Sequence, residues 1–270
     1  MAVMLKRIII FGLLLITLLP LVYILLNSFR PQSAFFQSAE ALFSGKFTLE
    51  NYSYLVTQTS ALQNLGNSLF ITIVSTAAAV LFGSMASFSL SRLSYRFLIL
   101  ISLLIVLVRF YPKISIVIPY YILIRNLHLL DTTWSVILAH AGLSLPLVVL
   151  MMSMFYAELP KEVEESCQID GSPIGYTYFR IIVPITKSGM AAAAILSAQL
   201  SWNEFLLASS VTSINSVTLP IVIAGFITDK GTNLGAMAAM SMVIALPVII
   251  FIFAAQRFLV QGLTMGSVKG

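Results

Sequence analysis

Charge is scarce in this chain. Only 9% of its 270 residues are Asp, Glu, Lys or Arg, against about 25% in soluble domains, which excludes a water-soluble globular enzyme. Cysteine is scarcer still: the single Cys167 has no partner for an internal disulfide, so packing must hold the fold. The two histidines, His128 and His140, stand apart, lack metal-ligand spacing and read as structural. No G-x-x-x-x-G-K-[ST] run occurs, so the chain does not cradle nucleotide phosphates in the usual way. G-x-S-x-G and H-E-x-x-H are missing too, which argues against an embedded enzyme. The net charge of +5 does not signal nucleic acid. No basic cluster is denser than Lys6-Arg7, whereas nucleic-acid binders gather Lys and Arg on one face.

Apolar residues are what the chain has in excess: 59% are hydrophobic and the mean hydropathy is +0.99. Most of the chain must therefore lie in lipid. Crossing about 30 Å of hydrocarbon takes about 20 apolar residues at 1.5 Å each, and six stretches qualify: 8–27, 69–90, 97–118, 134–156, 189–208 and 235–256. Four carry no charge; the third holds Arg109 and Lys113 and the fifth Glu204. The first follows Lys6-Arg7 like a signal peptide, but its apolar run is too long and lacks a small-x-small cleavage site, so it reads as an uncleaved span. Runs apolar on every side exclude the alternating pattern of a membrane barrel. The expected fold is all-α, a polytopic membrane protein with six transmembrane helices, the whole of 1–270 forming one domain.

Basic residues mark the cytoplasmic side. With the N-terminus inside, the inner segments hold Lys6, Arg7, Arg92, Arg96, Lys161, Arg180, Lys187, Arg257 and Lys269, nine in 59 positions. The outer segments hold Arg30, Lys46, Arg125 and Lys230, four in 82. Both termini are expected in the cytoplasm. Small residues line several spans, as in Gly83-Ser84-Met85-Ala86-Ser87, and let helices approach closely. Pro112, Pro119, Pro146 and Pro247 break the third, fourth and sixth spans, freeing backbone groups that lipid does not satisfy. Each alone is accounted for by a kink; several together favour a conduit.

The inner segment 157–188 is too rich for a connector. It holds Glu158, Glu162, Glu164, Glu165 and Asp170, half of the ten acids. Pro160 suits a helix start at Lys161, with the acids at the positive end of its dipole. Gly171-Ser172-Pro173 ends that helix and 174–182 starts another, giving a helix, a turn and a helix at the membrane surface.

The run Glu165-Ser166-Cys167-Gln168-Ile169-Asp170-Gly171, followed by Ile181-Ile182-Val183-Pro184, resembles the EAA loop of ABC importer permeases: E-A-A, three residues, G, nine residues, then I-x-L-P. Ser166 and Cys167 replace the alanines and Val183 the leucine. Ile169-Asp170-Gly171, the C-terminal run from Gly262 to Gly270, Asn67-Ser68, residues 127–132 and Trp202-Asn203-Glu204-Phe205 further resemble the carbohydrate, maltose-type branch. The resemblance spans nearly the whole chain. It implies a permease subunit of a bacterial or archaeal plasma membrane with no cofactor of its own. The implied partners are a second permease, two ATP-binding subunits, an external solute-binding protein and a carbohydrate substrate. It further implies that the loop fits a cleft on the ATPase through Glu164, Glu165, Cys167, Asp170, Gly171, Ile181 and Pro184, with Glu165 pairing with a basic group and Gly171 allowing the turn. The competing view is a solvated acidic loop.

Four residues are candidates for the substrate path. Glu204 either lines it or snorkels beside Trp202 in an aromatic belt. Asn203 offers a donor and an acceptor to sugar hydroxyls, or bonds another helix. Arg109 and Lys113, one turn apart and expected on one face, either attract an anion into the path, or mark the outer end of the third span, snorkelling at the outer surface or pairing with acids on the second permease while a neutral saccharide is the cargo. A rival reading from another class is a secondary transporter or channel driven by an ion gradient through Glu204.

Overall fold

The computed structural model describes residues 2–36, 47–228 and 231–265; Ser44, Lys46, Lys230 and the run 266–270 with Lys269 lie outside them. In chain order the described helices are α1 (Ala2–Ser28), α2 (Glu50–Gln58), α3 (Ala61–Leu90), α4 (Tyr95–Phe110), α5 (Lys113–Asn126), α6 (Thr133–Ala157) and α7 (Lys161–Ile169). Then come α8 (Ile174–Ile185), α9 (Lys187–Trp202), α10 (Leu206–Val211), α11 (Leu219–Gly225) and α12 (Leu234–Met265). Two short strands, β1 (Ile227–Thr228) and β2 (Gly231–Thr232), pair antiparallel with Ile227 opposite Thr232. The fold is the expected all-α one. Among the described residues four helices have the length and apolarity to cross a membrane singly, and two bent pairs, α4–α5 and α8–α9, bring the number to six if each is one span.

The third and fifth stretches differ from the continuous spans expected of them. Pro112 lacks an N–H and forces Tyr111 into extended backbone (φ −67°, ψ 132°), so the 97–118 run breaks into α4 and α5, which meet at 92°. Arg109 therefore ends one helix and Lys113 starts the next; they do not share a face of a single helix. The 189–208 run likewise stops at Trp202 and resumes at Leu206. Glu204 neither snorkels nor sits in a belt: it is buried.

The chain forms two compact units, Met1–Leu65 with Leu219–Val248 and Gly66–Thr218 with Ile249–Gly270. In the first, α1 exposes its leucines and isoleucines along its length, as a lipid-facing helix does. Buried Asn51 donates from Nδ2 to the carbonyls of Ser28 (3.0 Å) and Arg30 (2.7 Å), satisfying backbone left free past the end of α1. Gly235 packs against it so closely that a Cβ would stand 2.4 Å from Asn51 Oδ1.

In the second unit, Ala79, Phe88, Val148, Met152, Tyr156, Tyr178, Ile182 and Ala193 form one buried cluster drawn from α3, α6, α8 and α9. Small residues do there what their spacing suggests. A Cβ on Gly83 would stand 2.8 Å from Val148 Cβ, and one on Gly189 2.6 Å from the Phe155 ring. Helices in lipid gain little from hydrophobicity and associate through such close contact.

Candidate functional site

Residues 157–188 build a surface helix pair. Pro160 caps α7, whose first turn carries Glu162 and Glu164. The helix ends in a Schellman motif: Gly171 N donates to Gln168 O (3.0 Å) and Ser172 N to Cys167 O (2.9 Å). That closure needs a left-handed residue, and Gly171 has φ +69°. Pro173 then starts α8, whose middle, Tyr178–Ile182, winds as a π-helix. The wider turn places Tyr178 and Ile182 in the core. The Tyr178 hydroxyl bonds Ser84 Oγ at 2.6 Å and its ring lies 4.9 Å from that of Phe88. Thr186, buried, donates to Ile182 O (2.9 Å) at the corner where α8 turns 81° into α9.

The residues expected in the loop fall into distinct places. Glu164 pairs with the Arg92 guanidinium, which also stacks on Phe88 at 3.1 Å from the ring centroid. Glu165 and Asp170 are exposed, Cys167 is buried, Ile181 is half-buried in the π-turn, and Pro184 is exposed in the last turn of α8. Sequence reasoning missed Arg92, counted only in the charge balance, and the anchors Tyr178, Ser84 and Phe88. Nothing in their local spacing marks them, since Tyr178 and Ser84 are 94 positions apart.

A second construction lies between α5 and α6. Asp131, with φ +56°, accepts at Oδ1 and Oδ2 from the backbone N–H groups of Ser213, Ile214, Asn215 and Ser216, and from the Asn215 and Ser216 side chains. Desolvation would raise its pKa, but those N–H donors outweigh it and hold the carboxyl below the usual carboxylate range. Asn67 Nδ2 ties the same loop by donating to Asn215 O (2.8 Å) and Val217 O (3.2 Å). Asp131 was within reach of the sequence only as part of 127–132, because its partners stand 82 to 85 residues away.

The path candidates gather around the two helix breaks. Arg109, Lys113 and Glu204 line a cavity of about 320 Å³, together with Tyr111, Tyr120, His140 and Ser201. Asn203, exposed, borders an adjoining hollow with Lys113 and Glu204, and its Nδ2 returns to Gln199 O at 2.8 Å. The Glu204 carboxylate accepts from the N–H groups of Leu206, Leu207 and Ala208 at 3.0 to 3.2 Å, and so caps α10. His140 is buried, with Nδ1 2.8 Å from Ser201 Oγ and Nε2 3.4 Å from Glu204 Oε2. Among the described residues no group of three His, Cys, Asp or Glu converges as a metal site.

A chain of this hydropathy, with the helix pair α7–α8 and broken helices around a cavity, has the build of a polytopic membrane transport subunit. Residues 73–265 match the family described as binding-protein-dependent transport system inner membrane component, and the chain belongs to that family. It is 34% identical to the trehalose transport system permease protein SugB of Mycobacterium tuberculosis, over 94% of this chain and 93% of that one. It is 31% identical to the sulfoquinovosyl glycerol transport system permease protein SmoH of Agrobacterium fabrum, over 94% and 89%. Among solved structures, a bacterial ABC transporter involved in import of the acidic polysaccharide alginate shares the fold, with a TM-score of 0.80 at 17% identity over 94% of this chain and 95% of that one. The chain is thus an inner-membrane permease component of an ABC importer, a transport protein and not an enzyme.

Proposed function

We propose that this chain is one of two membrane-spanning subunits of an ATP-driven importer that brings a carbohydrate, delivered by an external solute-binding protein, into the cytoplasm. Residues 1–270 act as one permease domain, and 157–188 is the loop through which two partner ATPases drive it. The carbohydrate class rests on the relatives, whose names specify trehalose and sulfoquinovosyl glycerol. The orientation, both termini in the cytoplasm, rests on the charge balance of the loops.

The observation that carries the coupling role is the division of labour within the loop. Glu164 is neutralised by Arg92 and pins α7 to the bundle, while neighbouring Glu165 is exposed, available to a basic group on an ATPase. Because Tyr178 and Ile182 sit in the core, a push on α7 and the Gly171 turn is transmitted through α8 to the corner at Thr186, and from there to α9. ATP-driven closure of the partners would thereby rock the spans between inward-facing and outward-facing states. An ion-gradient mechanism through Glu204 is disfavoured, because that carboxylate is engaged by three backbone N–H groups.

The test is uptake by the chain reconstituted with its cognate second permease, ATPase and binding protein. ATP-dependent uptake that falls with Glu165→Ala while the spans stay inserted is the expected result. Gradient-driven uptake by the chain alone, indifferent to ATP and to Glu165, would overturn the proposal.

A further inference from the structure

We infer that the cavity at the α4–α5 and α9–α10 breaks is a subsite for an acidic group on the solute, so that this subunit selects carbohydrates bearing a carboxylate, sulfonate or phosphate. The inference rests on the importer reading and names its substrate class.

The charges of the wall point this way. Arg109 and Lys113 both line the cavity, and neither side chain makes a hydrogen bond or ion pair with any described residue. Both are exposed where they border the cavity, so they raise a positive potential there with no protein counter-ion, and an anion is the group that such a field attracts. The acid in the same wall does not supply it. Glu204 is 5% exposed, its oxygens are committed to the α10 N-terminus, and a single carboxylate does not balance two cations. The break itself adds to the field: α5 begins at Lys113, so the positive end of a 14-residue helix opens where the two cations stand. Arginine's planar fork matches oxyanions in a bidentate way, and lysine adds a point charge.

An independent observation points to a ligand beyond the anion. His140 Nε2 is buried, lines the cavity and makes no hydrogen bond. Its close polar neighbour is Glu204 Oε2 at 3.4 Å, a long contact outside good hydrogen-bond geometry, and a sugar hydroxyl is a group that would satisfy the ring nitrogen. Tyr120 commits its hydroxyl to Ser135 O, leaving the ring as an apolar face suited to the C–H side of a pyranose. A volume of about 320 Å³ lies at the lower end of small-molecule sites, which fits one acidic sugar unit rather than a long chain. An anionic lipid headgroup shares the chemistry of an oxyanion on a hydroxylated body, and the experiment separates the two sources.

The full chain, assembled with its partners in phosphatidylcholine nanodiscs, is titrated with D-glucuronate and with D-glucose as probes. Saturable glucuronate binding at least about tenfold tighter than glucose is expected, weakening as salt rises because the cations are exposed. Arg109→Gln and Lys113→Gln should each weaken glucuronate about tenfold, and Arg96→Gln, at the other end of α4, should not. Equal binding of the two sugars, or glucuronate binding unchanged in both Gln variants, overturns the inference. Adding phosphatidylglycerol to the discs distinguishes the sources: unchanged glucuronate affinity supports a solute subsite, whereas its loss by competition overturns the solute assignment in favour of a lipid headgroup. Co-purification of the ATPases is measured on the same samples. If it persists while the glucuronate preference is absent, the importer reading stands and the acidic subsite alone falls.

Discussion

Gly171 allows a graded test of the coupling loop, because only its backbone is constrained. Its φ is +69°, and a Cβ built there would meet no atom within 4 Å. Space therefore has no part in the cost of substitution. An L-residue in the left-handed region costs about 1–2 kcal/mol, Asn less because its short polar side chain bonds locally, and a β-branched residue more. That range is a factor of about 5–30 in the equilibrium between the closed Schellman turn and an open one, and the turn positions α7 against α8. Gly171→Asn should keep most of the ATPase co-purification and ATP-dependent uptake of wild type, Gly171→Ala less, and Gly171→Val about a tenth. Membrane insertion should be equal in all. Full coupling in Gly171→Val would refute the argument, and so would equal damage from Asn and Val, since that would make side-chain volume the cause.

The other predictions concern the outer clasp, the packing and the topology. Asp131→Ala should speed hydrogen exchange at residues 213–216; unchanged protection would show that the clasp does not order the loop. The Asp131 carboxyl ionises below the ordinary value near 3.9, so its stabilisation is complete above about pH 4 and is lost as pH falls through the folded value. Wild-type protection at 213–216, corrected for intrinsic rates, should therefore hold down to about pH 4 and fall only beyond it. Gly189→Ala should destabilise the purified complex by about 1–3 kcal/mol, because the new Cβ meets the Phe155 ring at 2.6 Å, and Phe155→Leu in the same chain should restore part of the loss in thermal unfolding. Cysteines at exposed Gln58 and Gln168, in a Cys167→Ser background, should react with an impermeant thiol reagent from outside and only after permeabilisation, respectively. The reverse pattern would invert the orientation and remove 157–188 from the ATPase.

Much of this protein is determined by local sequence. Membrane residence follows from hydropathy alone, because a run of apolar residues has one favourable solvent. The helix start at Lys161, the turn at Gly171 and the restart at Ile174 follow from Pro160, Gly171 and Pro173, whose backbone preferences do not depend on distant neighbours. The spacing of Glu165, Gly171, Ile181 and Pro184 sufficed for the family resemblance for the same reason.

Other features are decided only when distant segments meet. Pro112 announces a break, but not that α5 leaves α4 at 92°, an angle that packing sets. The hydropathy of 189–208 conceals the interruption at Asn203, because a carboxylate capping the next helix does not lower the apolar average enough to be seen. Glu164 and Glu165 are adjacent and chemically alike, and only Arg92, 72 residues earlier, makes one an anchor and leaves the other free. His140, Ser201 and Glu204 share a wall with Arg109 and Lys113 only because α4, α5, α6, α9 and α10 converge. Hydropathy and turn chemistry act over a few residues along the chain, whereas pairing, burial and cavities depend on distances across it, which the folded structure alone establishes.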